Sequence, residues 1–308
     1  MSEKSQQQTP KPRALFIGMT YIDVTIPTDK IPQGDDKAIA ETYDVGIGGN
    51  ATVAAITNQK LYGQTALITP LARDFLGQVV EKKYADYGIH VSPRAVEKTS
   101  LSLVLPNDDK RAILRCRNTD YLERFPDVSL DGIDILHLDG HQPDAALHYA
   151  EMCRQKGVLT SLDGGGMKEG IMDILEHIDV AVMSVRFCEQ LEKTPEDSLS
   201  WLWQTYKTPV AAVTLGEDGL IYSLNGGETQ RIPGVQLAPG QIKDTTGAGD
   251  VFHGAYVASY LKDSSNTWDT HFRFARAAST LSIQRLGTEA SVPDRDEVQA
   301  FIKQHENI

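Results

Sequence analysis

Between residues 133 and 183 short apolar runs alternate with longer segments of helical composition. Ile135-Leu136-His137-Leu138, residues 158–163 and residues 180–183 read as strands, with helices over 144–156 and 167–177 between them. Strand, crossover helix and strand in repetition require a parallel sheet with helices on its faces. The same pattern opens the chain, where Ala14-Leu15-Phe16-Ile17-Gly18 reads as a buried first strand. It returns at 65–71, a strand followed by a helix to about residue 87. Residues 209–222 read as strand, turn and second strand, with Pro209 at the strand start, where a missing N–H costs least.

Two glycine-rich loops feed helices. In the first, Asp244-Thr245-Thr246-Gly247-Ala248-Gly249-Asp250 runs into a long apolar segment ending near Leu261. The first N–H groups of a helix lack internal partners, and the peptide dipoles make that end positive. Gly247 and Gly249 have no Cβ, so an anion can come close to the backbone there. Asp250 falls in the first turn, placed to take a proton from an attacking hydroxyl. The alternative is a plain helix start, with Asp250 complementing the dipole for about 0.3–1 kcal/mol.

The second loop is Gly46-Ile47-Gly48-Gly49-Asn50-Ala51. It fits a dinucleotide fingerprint in letters, but it follows the second extended segment rather than the first strand. No clear acid follows about 20 residues on, so a dehydrogenase is a distant reading. Asp23 stands just past the first strand, where open α/β sheets place ligand contacts. Asp139, His141 and Asp163 also stand at carboxyl ends of strands. Residues 100–105 and 111–117 flank a polar turn and read as a hairpin. Arg115 and Arg117 then share one face, as solvated surface or as a positive patch for an anionic substrate.

Lys+Arg number 30 against 42 Asp+Glu, a net charge of −12 with no basic run, which argues against nucleic acid or an anionic membrane as partner. Cys116, Cys153 and Cys188 have no metal-like spacing and read as reduced thiols in a cytoplasmic protein. No apolar run reaches transmembrane length, and residues 1–12 read as a polar disordered tail. No Walker P-loop occurs, so phosphates would rest on a helix N-terminus and a metal.

Gly48-Gly49-Asn50 and the Asp-Thr-Thr-Gly-Ala-Gly-Asp stretch at 244–250, in this order along the chain, resemble the two signatures of the ribokinase-like, or PfkB, carbohydrate kinases. The resemblance covers about residues 13–304. It implies one α/β domain over 13–308, a three-layer sandwich with a mostly parallel central sheet and a small β-sheet lid from segments near 24–45 and 98–118. It implies ATP-dependent phosphorylation of a sugar hydroxyl, with Asp250 as base and Gly247, Ala248 and Gly249 as anion hole. By the same resemblance Asp23, Gly48, Gly49 and Asn50 hold the sugar. Thr214, Gly216 and Gly219 match the nucleotide-binding turn, and small residues at Ser279 and Ser282 lie where the family places adenine. Magnesium (Mg2+) is expected on the phosphates, potassium (K+) at Asp244 and Thr246, and a homodimer through the lid.

Some positions depart from the family. Asp74 and Gly77 keep its glycine-aspartate stretch only loosely. Ser184 and Phe187 occupy the slots of the usual Asn-x-x-Glu motif, which places the water-linked magnesium arrangement in question. His253 replaces a common asparagine, either tuning the site or packing, with packing the favoured reading. The Val251-Phe252-His253 sequence and the Leu162-Asp163-Gly164 turn are similar to the sulfofructose kinase branch, with fructokinases close behind. A nucleoside kinase of the same family and a non-catalytic sugar sensor are the alternatives.

Overall fold

The computed structural model describes residues 13–28, 31–107 and 110–305. Among them the strands are β1 (Ala14–Ile17), β2 (Tyr21–Thr25), β3 (Asp44–Gly48), β4 (Thr65–Leu71), β5 (His90–Ala95), β6 (Leu101–Asn107), β7 (Lys110–Cys116), β8 (Ile135–Leu138), β9 (Leu159–Gly164), β10 (Val180–Ser184), β11 (Val210–Thr214), β12 (Leu220–Leu224) and β13 (Gln230–Ile232). The helices are α1 (Asn50–Leu61), α2 (Phe75–Tyr87), α3 (Pro143–Lys156), α4 (Ile171–Leu175), α5 (Val185–Gln190), α6 (Pro195–Tyr206), α7 (Ala248–Lys262), α8 (Trp268–Ser282) and α9 (Arg295–Gln304). The tail at 1–12 lies outside the described residues.

The large sheet has the order β13-β12-β11-β10-β9-β8-β1-β4-β5. From β5 to β11 every neighbouring pair is parallel, and β12 and β13 add an antiparallel edge. Strands covered on both faces must be apolar throughout, and β1, β4 and β8 are buried along their whole length. Side chains alternate between two cores. Ala14 and Phe16 pack with residues of α1, α7, α8 and α9, while Leu15 and Ile17 pack with residues of α3, α4, α5 and α6.

A second sheet has the order β3-β2-β6-β7, with β2 and β6 parallel and the outer pairs antiparallel. It unites the two segments expected to form a lid. In the first of these segments the second strand begins at Asp44, where pairing with Thr25 starts. The preceding residues find no sheet partner, and Ile39 is 98% exposed. The helix expected over 167–177 shrinks to Ile171–Leu175 because Gly170 sits at φ 72, outside the helical region.

Two features gather the site. The order reverses between β1 and β8, and the carboxyl edge at such a switch point leaves a crevice for ligands. In addition, α1 and α7 nearly touch, since a Cβ on Gly254 would stand 2.2 Å from the Ala54 carbonyl oxygen. That contact brings the N-termini of both helices to the same edge.

Candidate active site

The N-terminus of α7 is uncapped by any side chain. Gly247 precedes it at φ 77, a left-handed turn that favours glycine. A Cβ on Gly249 would meet nothing within 4 Å, so the space before this turn is open. Ala248 is anchored from behind, its carbonyl accepting from Ser279 Oγ at 2.8 Å. An anion can therefore reach the Gly247–Gly249 backbone, and Asp250 stands in the same turn.

Three aspartates converge here under different conditions. Asp139, fully buried after β8, accepts from the N–H groups of Met19 (3.0 Å), Ala51 (3.2 Å) and His141 (2.9 Å). Burial opposes its charge, but His141, Lys168 and these donors hold its carboxyl below the usual range. Asp163, on β9, accepts from Asn50 Nδ2 at 2.8 Å and lies 3.4 Å from His253 Nε2. Burial is again outweighed there, and its carboxyl also stays low. Among the described residues Asp250 has no such donors. Burial and then repulsion from Asp163 and Asp139 push its carboxyl well above the ordinary range, with Arg115 and Lys168 opposing. Of the three, it is the one poised to take up a proton.

Of the residues expected to hold the sugar, Asp23 and Arg115 lie on one row across the small sheet. Gly46 pairs with Asp23, Asp23 with Ser102, and Ser102 with Arg115, so all four share a face. Gly48 leaves room for Asp23, since a Cβ there would lie 1.9 Å from Asp23 Oδ2. Gly49, at φ 109, lies against the Met19 carbonyl, 2.1 Å from where its Cβ would be. Burial lifts the Asp23 carboxyl to about 6, against the pull of Arg115 and the Ser102 and Thr288 hydroxyls. Arg115 stands over the Tyr21 ring at 5.2 Å, and Arg117 Nε donates to Tyr21 Oη at 2.8 Å. Both arginines remain exposed.

Asp244 and Thr246 line a small cavity with Asp23, Asp44 and Thr288. Asp244 accepts from the N–H groups of Thr246 at 2.8 Å and Gly287 at 3.2 Å. Among the described residues no cluster of three or more His, Cys, Asp or Glu is arranged to hold a metal.

The residues expected to bind the nucleotide are less uniform. Thr214 ends β11, with Oγ1 donating to the Met183 carbonyl at 3.3 Å. Gly216 follows at φ 63 with open space before it. Gly219 instead packs on backbone, its missing Cβ pointing to Ile232 O at 2.1 Å. Ser282 is 1% exposed and donates to Ser279 O, so in this structure it packs within α8. Ser184 caps α5 by accepting from Phe187 N, and Phe187 is fully buried in the core. Nothing polar stands at that second slot.

Sequence reasoning passed over Ser102 and Lys168. Ser102 becomes visible only through the register that sets it between Asp23 and Arg115. Lys168, in the segment between β9 and α4, has its Nζ 3.6 Å from the Cβ position of Gly140, next to Asp139.

The pfkB family carbohydrate kinase model matches residues 11–295. The ribokinase of Lactococcus lactis is 24% identical, covering 94% of this chain and 97% of its own. The ATP-dependent ribose-1-phosphate kinase of Halopiger xanaduensis is 26% identical, covering 95% and 98%. Arabidopsis thaliana ribokinase, solved with ribose and ATP, superposes with a TM-score of 0.82 at 23% identity over 96% of this chain and 99% of that one. The chain belongs to the pfkB family of carbohydrate kinases.

Proposed function

We propose that the protein transfers a phosphoryl group from ATP to a hydroxyl of a sugar. The observation that carries this is the contrast among Asp139, Asp163 and Asp250. Asp139 and Asp163 are each tied to hydrogen-bond donors, whereas Asp250 stands in the uncapped, open first turn of α7. Asp250 takes the proton of the attacking hydroxyl, while the N–H groups of Gly247, Ala248 and Gly249 face the charge on the transferred group. Asp23, the Gly48–Gly49 backbone and Asn50 orient the sugar. Thr214, Gly216, Gly219, Ser279 and Ser282 border the nucleotide, Gly219 and Ser282 by shaping its walls. Magnesium–ATP, when bound, supplies the phosphoryl group and offsets its charge. Potassium at Asp244 and Thr246 belongs to the same proposal, and full activity with sodium as the sole alkali cation would reject it.

One observation favours an anionic sugar. Arg115 is exposed on the same row as Asp23, and a named relative, from Halopiger, takes ribose 1-phosphate. A homodimer through the lid and a cytoplasmic location complete the proposal. In support of the dimer, the opposite face of the small sheet carries the row Val45, Val24, Leu103 and Leu114, with Leu114 66% exposed.

The test is ADP release with magnesium–ATP over ribose, fructose, ketodeoxygluconate, fructose 6-phosphate, sulfofructose, adenosine and inosine. A sugar signal supports the proposal, and signals only from charged sugars assign Arg115 to the substrate. A nucleoside signal moves the function to nucleoside phosphorylation. Sugar binding without turnover makes the protein a sensor.

A further inference from the structure

A file of polar groups leaves the site and ends inside the core. Asn50 Nδ2 donates to Asp163 at 2.8 Å, and His253 Nε2 lies 3.4 Å from the same carboxylate. On its other side His253 Nδ1 is 3.1 Å from Tyr256 Oη, which is hydrogen-bonded to Ser161 Oγ. Ser161 Oγ is in turn 2.9 Å from His137 Nδ1, and among the described residues His137 Nε2 has no partner. Asp163, His253, Tyr256, Ser161 and His137 are each 5% exposed or less.

The two ends set the direction of every proton. An ionised carboxylate only accepts, so the His253 Nε2 beside it carries the hydrogen; a bare lone pair there would face negative charge. Burial keeps both imidazoles neutral. Nδ1 of His253 is then bare and accepts from Tyr256 O–H. Tyr256 accepts from Ser161 O–H, and Ser161 accepts from His137 Nδ1–H. His137 Nε2 is left as a lone pair, which matches its partnerless position; the reverse polarity would strand an N–H there. Every donor therefore points toward Asp163. The Asn50 amide is fixed with its nitrogen inward, and its Oδ1 faces outward as an acceptor.

We propose that His253, backed by Tyr256, Ser161 and His137, is a positioning residue that holds Asp163 as the fixed acceptor of the Asn50 amide, so that Asn50 offers Oδ1 to a donating hydroxyl of the sugar. The assignment rests on Asn50 being a sugar contact, as in the proposed function. His253 lies one helical turn beyond Asp250 and touches no reacting atom in this scheme, so its loss acts on sugar affinity before chemistry.

Two measurements test it. In the wild-type protein, nitrogen-15 correlation spectra of the histidine rings are expected to show His253 neutral at pH 7 and protonated on Nε2. A His253 proton on Nδ1, or an imidazolium, overturns the chain whatever the enzyme turns over. Kinetics follow with the best sugar of the panel above. His253→Leu is expected to raise the KM for sugar about ten-fold, with kcat and the KM for ATP changed less than about two-fold. His253→Gln, which carries an amide donor at a similar reach, is expected to restore most of the sugar KM. Failure of His253→Gln to do better than His253→Leu in a folded protein, or an equal rise in both KM values, overturns the positioning role. If His253→Leu does not fold, wild type against His253→Gln decides, with near-wild-type sugar KM expected and a ten-fold rise contradicting it. Silence across the whole panel defeats the kinase reading itself, and the His253 tautomer still supports or overturns the chain.

Discussion

The Asp23 carboxylate occupies the space in which a Gly48 side chain would stand, with 1.9 Å between Oδ2 and the Cβ position. The two residues are on neighbouring strands, and Asp23 lies two pairs along from the Tyr21–Gly48 pair, on the same face. The glycine is therefore needed inside a strand, where it is otherwise unfavourable, because the acid needs the room. Gly48→Ala is expected to displace Asp23. The KM for sugar should rise at least about ten-fold, and stability should fall by about 1–3 kcal/mol from overpacking. Sugar titration calorimetry and denaturant unfolding check both, and an unchanged sugar affinity would count against Asp23 as a ligand contact.

Asp23 also predicts a pH dependence. Its folded value of about 6 stands above the ordinary 3.8. The folded state therefore binds this proton more tightly than the unfolded state does. Stability from this group is fully present below about 4 and declines as pH rises toward 6, while sugar binding to the ionised acceptor gains over the same interval. Asp23→Asn is expected to stabilise the unliganded protein at pH 7 by on the order of 1–2 kcal/mol. Thermal unfolding at pH 5 and pH 7.5, wild type against variant, checks it. An Asn variant no more stable at the higher pH would contradict the raised value.

The apolar row on the back of the small sheet predicts association. Leu114→Glu places a charge at its most exposed point and is expected to shift a dimer toward monomer without reducing the helical content. Light scattering on eluted protein measures it. Wild type eluting as a monomer at tens of micromolar would remove the lid dimer from the proposal.

Much of the large sheet is legible in the sequence because strands buried on both faces need unbroken apolar runs, as Ala14-Leu15-Phe16-Ile17 and Ile135-Leu136-His137-Leu138 supply. The α7 terminus is legible because glycines ahead of an apolar helical segment leave the first N–H groups open to approach. Pairing across long separations is not visible in this way. The row from Gly46 to Arg115 joins residues far apart in the chain, and only the register shows that Ser102 and Arg115 flank Asp23.

Local signals also mislead where tertiary contacts decide. Residues 38–43 have strand composition but no edge to pair with, and Gly170 stops a helix that the flanking residues would favour. His253 does pack, at 4% exposed, as its apolar neighbours suggest. Its Nε2 nevertheless faces Asp163 on β9, a contact made only when α7 packs on the sheet.

The most direct test of the central claim is Asp250→Asn, followed by turnover, sugar binding and thermal unfolding on the same preparation. Removing a carboxylate that burial and Asp163 hold up should raise the melting temperature, as strained functional groups do. Sugar affinity should stay within about three-fold, and turnover should fall by about 10²–10⁴-fold. Turnover that persists at the wild-type rate in the folded variant would contradict Asp250 as the base.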